Sequence, residues 1–240
     1  MFGQNPIRSA VTDPRTLAVE TVFYTIQGEG PYAGMPALFI RLAGCNLACH
    51  FCDTQFEKMA DSALPVGDHL ADILNRFTRK QREFVVLTGG EPLRQDAAVL
   101  VDALLNTGTS LVQIETAGTL APSDALLRRI EQQSVVLVCS PKTPKVHPAM
   151  KQYCHHWKYI IRDGEISSID GLPNRGTQMG TKDTEQILYR APKGLNVIWV
   201  SPCDDYDNAK NAANMEAVKQ VALVHGYRIS LQMHKILNVE

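Results

Sequence analysis

No run in the chain approaches the ~20 consecutive apolar residues that a membrane-crossing helix requires. Residues 1–13 also lack the apolar stretch of a secretory leader, and the two absences together predict a cytoplasmic protein with no membrane partner. Neither sign of charge is in excess, with 24 Lys and Arg against 25 Asp and Glu over 240 residues. Charge-driven capture of nucleic acid is therefore not expected, and small molecules are the partners to look for. Internal repeats and low-complexity tracts are missing, which leaves one α/β domain as the simplest organisation for this length. Cysteine is sparse, six residues in all, and Cys139, Cys154 and Cys203 stand singly. In a reducing compartment such residues read as ligands and small buried hydrophobes, not as a disulfide framework.

The remaining three cysteines are concentrated, with Cys45, Cys49 and Cys52 at the spacing Cys-x3-Cys-x2-Cys. Thiolates on one short loop can wrap a corner of an iron–sulfur cube, which normally takes four of them. A site that supplies three leaves one iron for a ligand from outside the protein, as catalytic metal sites keep a position open. Structural zinc is the alternative, with His50 as fourth ligand. His50 is next to Cys49 and two residues from Cys52, which strains a tetrahedron, and no second knuckle exists to complete the set.

Residues 1–18 are polar and aperiodic and predict an extended lead, with structure starting near Val19. A strand over 22–24 runs into the glycine-containing turn Gln27-Gly28-Glu29-Gly30, and residues 37–42 predict a buried strand that delivers the chain to the cysteine loop. Arg41 is the cation in that strand, and it needs an anionic partner, structural or on a substrate. Asp68 is placed to cap a helix through about Arg79 carrying Leu70, Ile73, Leu74 and Phe77.

Strand, polar loop and helix then alternate. Residues 84–87 lead to Thr88-Gly89-Gly90-Glu91-Pro92, and a helix with Leu100, Val101, Leu104 and Leu105 stops at Gly108. Residues 111–114 end at Glu115-Thr116-Ala117-Gly118, and Ser123 caps a helix with Leu126, Leu127 and Ile130. Residues 135–138 end at Ser140-Pro141-Lys142. Further strands are expected at 157–161, 196–200 and 227–233, with a helix over 209–224. Residues 164–194 are polar and show no period, which suits a lid, an oligomer contact or a mobile segment, the last being the simplest. The alternation predicts a parallel sheet with helices outside, in which ligands sit at the carboxyl ends of the strands, where the polar clusters fall.

Cys45, Cys49 and Cys52 match the signature of radical S-adenosylmethionine enzymes, and Gly89-Gly90-Glu91-Pro92 resembles that superfamily's Gly-Gly-Glu-Pro motif. Around them Tyr24-Thr25-Ile26-Gln27-Gly28-Glu29-Gly30, Phe39-Ile40-Arg41-Leu42-Ala43-Gly44, Cys52-Asp53-Thr54, Ile114-Glu115-Thr116, Ser140-Pro141-Lys142 and Gln232-Met233-His234-Lys235 resemble the 7-carboxy-7-deazaguanine synthase family. The resemblance runs from Val19 onward and is weakest over 164–194.

That resemblance implies an α/β fold, an open partial (β/α) barrel of mainly parallel strands with outer helices, in one domain over 1–240. It implies a [4Fe–4S] cluster on Cys45, Cys49 and Cys52, with S-adenosylmethionine held by Phe51, Cys52, Asp53, Gly90, Glu91, Ser140, Pro141, Lys142, Ser201, Pro202, Cys203 and Asp204. Thr54 would ligate Mg2+, a hard cation suited to oxygen donors. The substrate, 6-carboxy-5,6,7,8-tetrahydropterin, would contact Ile26, Gln27, Gly28, Arg41, Thr88 and the carboxylate of Glu240, with Arg41 facing its carboxylate and Glu115 within reach of either ligand; Glu115 and Arg41 are the implied catalytic residues. The implied product is 7-carboxy-7-deazaguanine, with loss of ammonia. A flavodoxin-type reductant and a second copy of the chain are the implied protein partners. Two rivals share the cysteine spacing: an activase that installs a glycyl radical on a protein, and an iron–sulfur module without turnover.

Overall fold

The computed structural model describes residues 11–49, 52, 62–178, 186–194 and 196–239. Its first ordered pairing lies earlier than the composition suggests. Strand β1 (Thr16–Leu17) pairs antiparallel with β4 (Leu64–Pro65), and Leu17 is fully buried. An apolar side chain with a core to enter anchors a segment whose neighbours are polar, so the expected loose lead is ordered by Thr16.

Among the described residues the main sheet has eight strands. In chain order they are β2 (Val19–Ile26), β3 (Pro36–Leu42), β5 (Phe84–Gly89), β6 (Leu111–Thr116), β7 (Val135–Cys139), β8 (His156–Ile161), β9 (Val197–Pro202) and β10 (Arg228–Ile229). Each lies beside its predecessor, and every pairing is parallel except that of edge strand β2 with β3. The sheet does not close, since β2 and β10 are its two edges. At the carboxyl ends the open side is bridged instead: Gly30 N donates to Ser230 Oγ at 2.8 Å, and Met233 N donates to the Gly28 carbonyl at 3.2 Å. The fold is thus an open partial barrel.

Strand alternation divides the side chains between two faces. Leu38, Ile40 and Leu42 of β3, Val85 and Leu87 of β5, Val112 and Ile114 of β6, and Trp157, Tyr159 and Ile161 of β8 are buried in the core beneath the helices. Each such large apolar side chain contributes about 1.5–3 kcal/mol by leaving water. The covering helices are α1 (Val66–Arg76), α2 (Ala98–Asn106), α3 (Asp124–Glu131), α4 (Pro148–Tyr153) and α5 (Asn208–His225), and they add Ile73, Leu100, Val101, Leu104, Leu126, Met150, Val218 and Val221.

Ser123 caps α3 by accepting from Leu126 N, as its position predicts. Asp68 does not cap α1: Pro65 holds that place and Asp68 sits in the first turn, where its charge still meets the positive end of the helix. The polar sequence of α4 hid a helix of six residues, started by Pro148 and by the His147 side chain accepting from Ala149 N. The expected strand over 227–233 is only the two residues of β10, followed by helix α6 (Met233–Leu237).

The described part of the segment over 164–194 packs against the core. Among its described residues Leu172 and Leu188 are buried, and Arg190 makes a two-pronged ion pair with Asp170 while donating to the Pro173 carbonyl at 2.8 Å. Among these described residues side chain–backbone bonds take the place of a helix or strand, which leaves no period in the sequence to read.

Candidate active site

The opposite face of the strands lines the inside of the barrel. In β5 the alternation that buries Val85 and Leu87 under the helices turns Thr88 inward, and in β6 it turns Glu115 inward; Ser140 beyond β7 and Lys158 and Ile160 of β8 follow the same rule. These residues, with the cysteine loop, wall a cavity of about 250 Å3 at the carboxyl ends of the strands. Its rim is completed by Pro202 at the end of β9, by Cys203 and Asp204 after it, and by Tyr206, Gln232 and Lys235.

Cys45, Cys49 and Cys52 all face this cavity. Two glycines explain how their loop is held. A Cβ on Gly89 would overlap the Leu42 backbone and one on Gly90 the Gly44 carbonyl oxygen, so only glycine lets the end of β5 lie against the end of β3. That approach permits Gly90 N to donate to Leu42 O at 3.1 Å and Glu91 N to Gly44 O at 3.0 Å. Arg94 adds a bond to the Cys45 carbonyl at 3.1 Å.

Burial pushes the Cys45 thiol up to about 12, with the neighbouring Cys49 and Cys52 adding to the rise. A thiolate there is sustained only beside positive charge, which the irons of a cluster provide. Among the described residues no three Cys, His, Asp or Glu side chains converge as a single metal ion would need. A cubane, each of whose irons takes its own thiolate, asks instead for sulfurs spread around one cavity. Three thiols on the wall of one cavity fit the donor set of an iron–sulfur cluster.

Glu115 is the best-framed acid. The Gln27 and Gln113 side-chain amides both donate to its Oε1, at 2.9 and 2.8 Å, leaving Oε2 without a protein donor among the described residues. Gln27 therefore acts from behind Glu115 and, like Ile26 and Gly28, does not line the cavity. Arg41 shares the inward face with its register partner Thr88, but its guanidinium lies 5.0 Å from the centre of the Phe23 ring and does not line the cavity. The aromatic face meets part of the demand for a negative partner that its strand raised.

Glu91 is directed into the protein. Thr116 Oγ1 and Leu93 N donate to its Oε1 at 2.7 and 3.1 Å, and Ala117 N donates to Oε2 at 2.8 Å, so its carboxylate staples the end of β5 to the end of β6. Burial still raises its pKa, outweighing those bonds. Ser201 likewise spends its hydroxyl on the Ser230 carbonyl at 2.6 Å, and Pro141 lines a smaller neighbouring hollow. Lys142 does line the main cavity, where burial pulls its ammonium pKa down. Burial likewise raises the pKa of the Cys203 thiol. Phe51, Asp53, Thr54 and Glu240 lie outside the described residues.

Among the lining residues not assigned from sequence are the charged Glu29, Lys158 and Lys235 and the amide of Gln232. Lys158 carried a signal, since it is a cation inside the apolar run Trp157-Lys158-Tyr159-Ile160-Ile161, the same anomaly that drew attention to Arg41. Glu29 pairs with it. Burial alone would raise the Glu29 pKa, but the Lys158 ammonium holds it below the usual carboxylate range.

Comparison with known proteins gives consistent matches. The Radical SAM superfamily matches residues 39–162. The 7-carboxy-7-deazaguanine synthase of Rhodospirillum rubrum is 42% identical over 245 residues, covering 100% of both chains. That of Rickettsia prowazekii is 38% identical over 250 residues, covering 100% of this chain and 96% of its own. Among solved structures, QueE from Escherichia coli superposes with a TM-score of 0.63 at 25% identity, covering 90% of this chain and 94% of that one.

Proposed function

We infer the activity from a plain fact of kinship: the chain belongs to the 7-carboxy-7-deazaguanine synthase family of radical S-adenosylmethionine enzymes. It is an enzyme that converts 6-carboxy-5,6,7,8-tetrahydropterin to 7-carboxy-7-deazaguanine with release of ammonia, on the route to queuosine and other 7-deazapurines. The observation that carries this reading is the placement of three cysteines and an inward Glu115 on the walls of one cavity at the carboxyl ends of the strands.

Cys45, Cys49 and Cys52 would hold the [4Fe–4S] cluster, which with S-adenosylmethionine supplies a 5′-deoxyadenosyl radical for hydrogen abstraction. The protein's own share is to place and enclose the reactants. Lys142 and Ser140 offer donors to the polar end of S-adenosylmethionine, and Pro202, Cys203 and Asp204 form the wall beyond β9. Gln27 and Gln113 fix Glu115 so that Oε2 can accept from a substrate N–H or take up a proton, while Thr88 presents a hydroxyl beside it. Val138, Ile160 and Leu47 are the apolar wall that keeps water from the reacting carbon. Arg41 as the partner of the substrate carboxylate belongs to the same reading and requires its guanidinium to leave Phe23. So do Mg2+ on Thr54, a flavodoxin-type electron donor, a homodimer and a cytoplasmic setting.

The test is anaerobic. The reconstituted protein is given S-adenosylmethionine, a reductant and Mg2+, and 5′-deoxyadenosine and deazapurine are followed by mass spectrometry with and without the pterin. Deazapurine formed only with the pterin is the expected result. Formation of 5′-deoxyadenosine with no deazapurine would overturn the substrate assignment.

A further inference from the structure

Two side chains from the polar stretch between β8 and β9 reach the cysteine loop. The Thr177 hydroxyl lies 3.0 Å from Cys49 Sγ, nearer than its other acceptor, the Lys142 carbonyl at 3.3 Å, and Gln178 Nε2 donates to the same sulfur at 3.2 Å. Gln178 Nε2 also lies 3.1 Å from Thr177 Oγ1, and Gln178 Oε1 accepts from Ala48 N at 2.8 Å, so the amide is oriented from both ends. Backbone bonds set the whole in place: Thr177 N donates to the Lys142 carbonyl at 2.9 Å, and Cys49 and Gln178 form an antiparallel bridge. Thr177 and Gln178 are only 6% and 8% exposed, so water does not compete for these bonds. Cys45 Sγ, by comparison, accepts from the Leu47 backbone N–H at 3.4 Å.

We propose that Thr177 and Gln178 are positioning residues for Cys49 that also raise the reduction potential of the cluster, by donating hydrogen bonds to one of its ligand sulfurs. The inference rests on the cluster-binding reading above and adds to it what sets the cluster's redox poise. An added electron spreads over the cluster sulfurs, so a donor aimed at one of them stabilises the reduced state more than the oxidised one. Donors outside the ligand set also hold a ligand's orientation. The Arg190–Asp170 pair and the bonds of Arg190 to the Pro173 and Leu172 carbonyls keep the segment rigid enough to do both.

The experiment is an EPR-monitored redox titration of the reconstituted cluster, with iron and sulfide content measured beside it and no pterin present. Thr177→Val and Gln178→Leu are each expected to lower the reduction equilibrium constant about tenfold, equivalent to about 59 mV for one electron. Thr177→Ser, which keeps the hydroxyl, is expected to hold the wild-type potential. Fully loaded Val and Leu variants at the wild-type potential overturn the proposal, as does a Ser variant shifted as far as the Val variant. If the Val or Leu variant does not load, Gln178→Asn decides: its amide falls one methylene short of the sulfur, so a lowered potential supports the proposal and an unchanged one overturns it. A wild-type chain that assembles no cluster defeats the functional reading itself, a result distinct from loaded variants of unchanged potential.

Discussion

Lys158 and Glu29 meet as an ion pair on the cavity wall, with 10% and 13% of their side chains exposed. Glu29 follows edge strand β2, whereas Lys158 stands on β8, toward the far end of the open sheet. The pair therefore spans the barrel at its mouth, beside the Gly30–Ser230 bond. Replacing Lys158 by Met should leave a buried carboxylate without its ion-pair partner, with only the Gln232 hydrogen bond and the His234 charge beside it, and cost up to about 3–5 kcal/mol, read as a lower urea midpoint of the cluster-free protein. Adding Glu29→Gln to that variant should recover most of the loss. A single variant as stable as the wild type would show that the pair carries little of the closure.

The contact between the Gly-Gly turn and the cysteine loop sets the second expectation. Gly90→Ala places a Cβ against the Gly44 carbonyl oxygen, which is backbone and cannot swing aside. Overpacking of this kind costs about 1–3 kcal/mol, and here the displaced part is the cysteine loop. Iron retained per chain after reconstitution should fall together with Tm. Gly67→Ala in α1, where a Cβ would meet nothing within 4 Å, is the control and should gain about 0.5–1 kcal/mol.

Acid should loosen the C-terminal wall of the cavity. The Lys235 side chain, through its hydrogen bond and charge, holds the Asp204 carboxyl down at about 2. A depressed carboxyl contributes stability that is complete above its ordinary value of 3.8 and is lost as pH falls toward the folded value of about 2. The protection factors of α6 amides, exchange rates corrected for intrinsic pH dependence, should therefore fall across that interval and not above it. Lys235 is 38% exposed, so Lys235→Met should cost less than about 1 kcal/mol at neutral pH and shrink that acid step, leaving the part due to the Tyr206 N–H and the Asn211 amide. Protection factors with the same acid dependence in the variant would remove Lys235 as the cause.

By itself the sequence determined the βα alternation, the cysteine loop and the Gly-Gly turn. Each is a local property: apolar periodicity, a fixed spacing, and glycine where backbone must approach backbone. It also placed Thr88, Glu115, Ser140 and Lys142 correctly at strand ends, because alternation along a strand decides which residues face inward. What tertiary structure decided is how those groups are used. Glu91 and Ser201 are consumed by donors and acceptors on neighbouring strands. Arg41 meets the Phe23 ring, and Lys158 finds Glu29 across the barrel mouth. Thr177 and Gln178 reach Cys49 from 128 and 129 residues away along the chain. Partners so distant in sequence leave no periodicity or spacing to read, since they are chosen by the curl of the sheet and the packing of a segment that has no repeat.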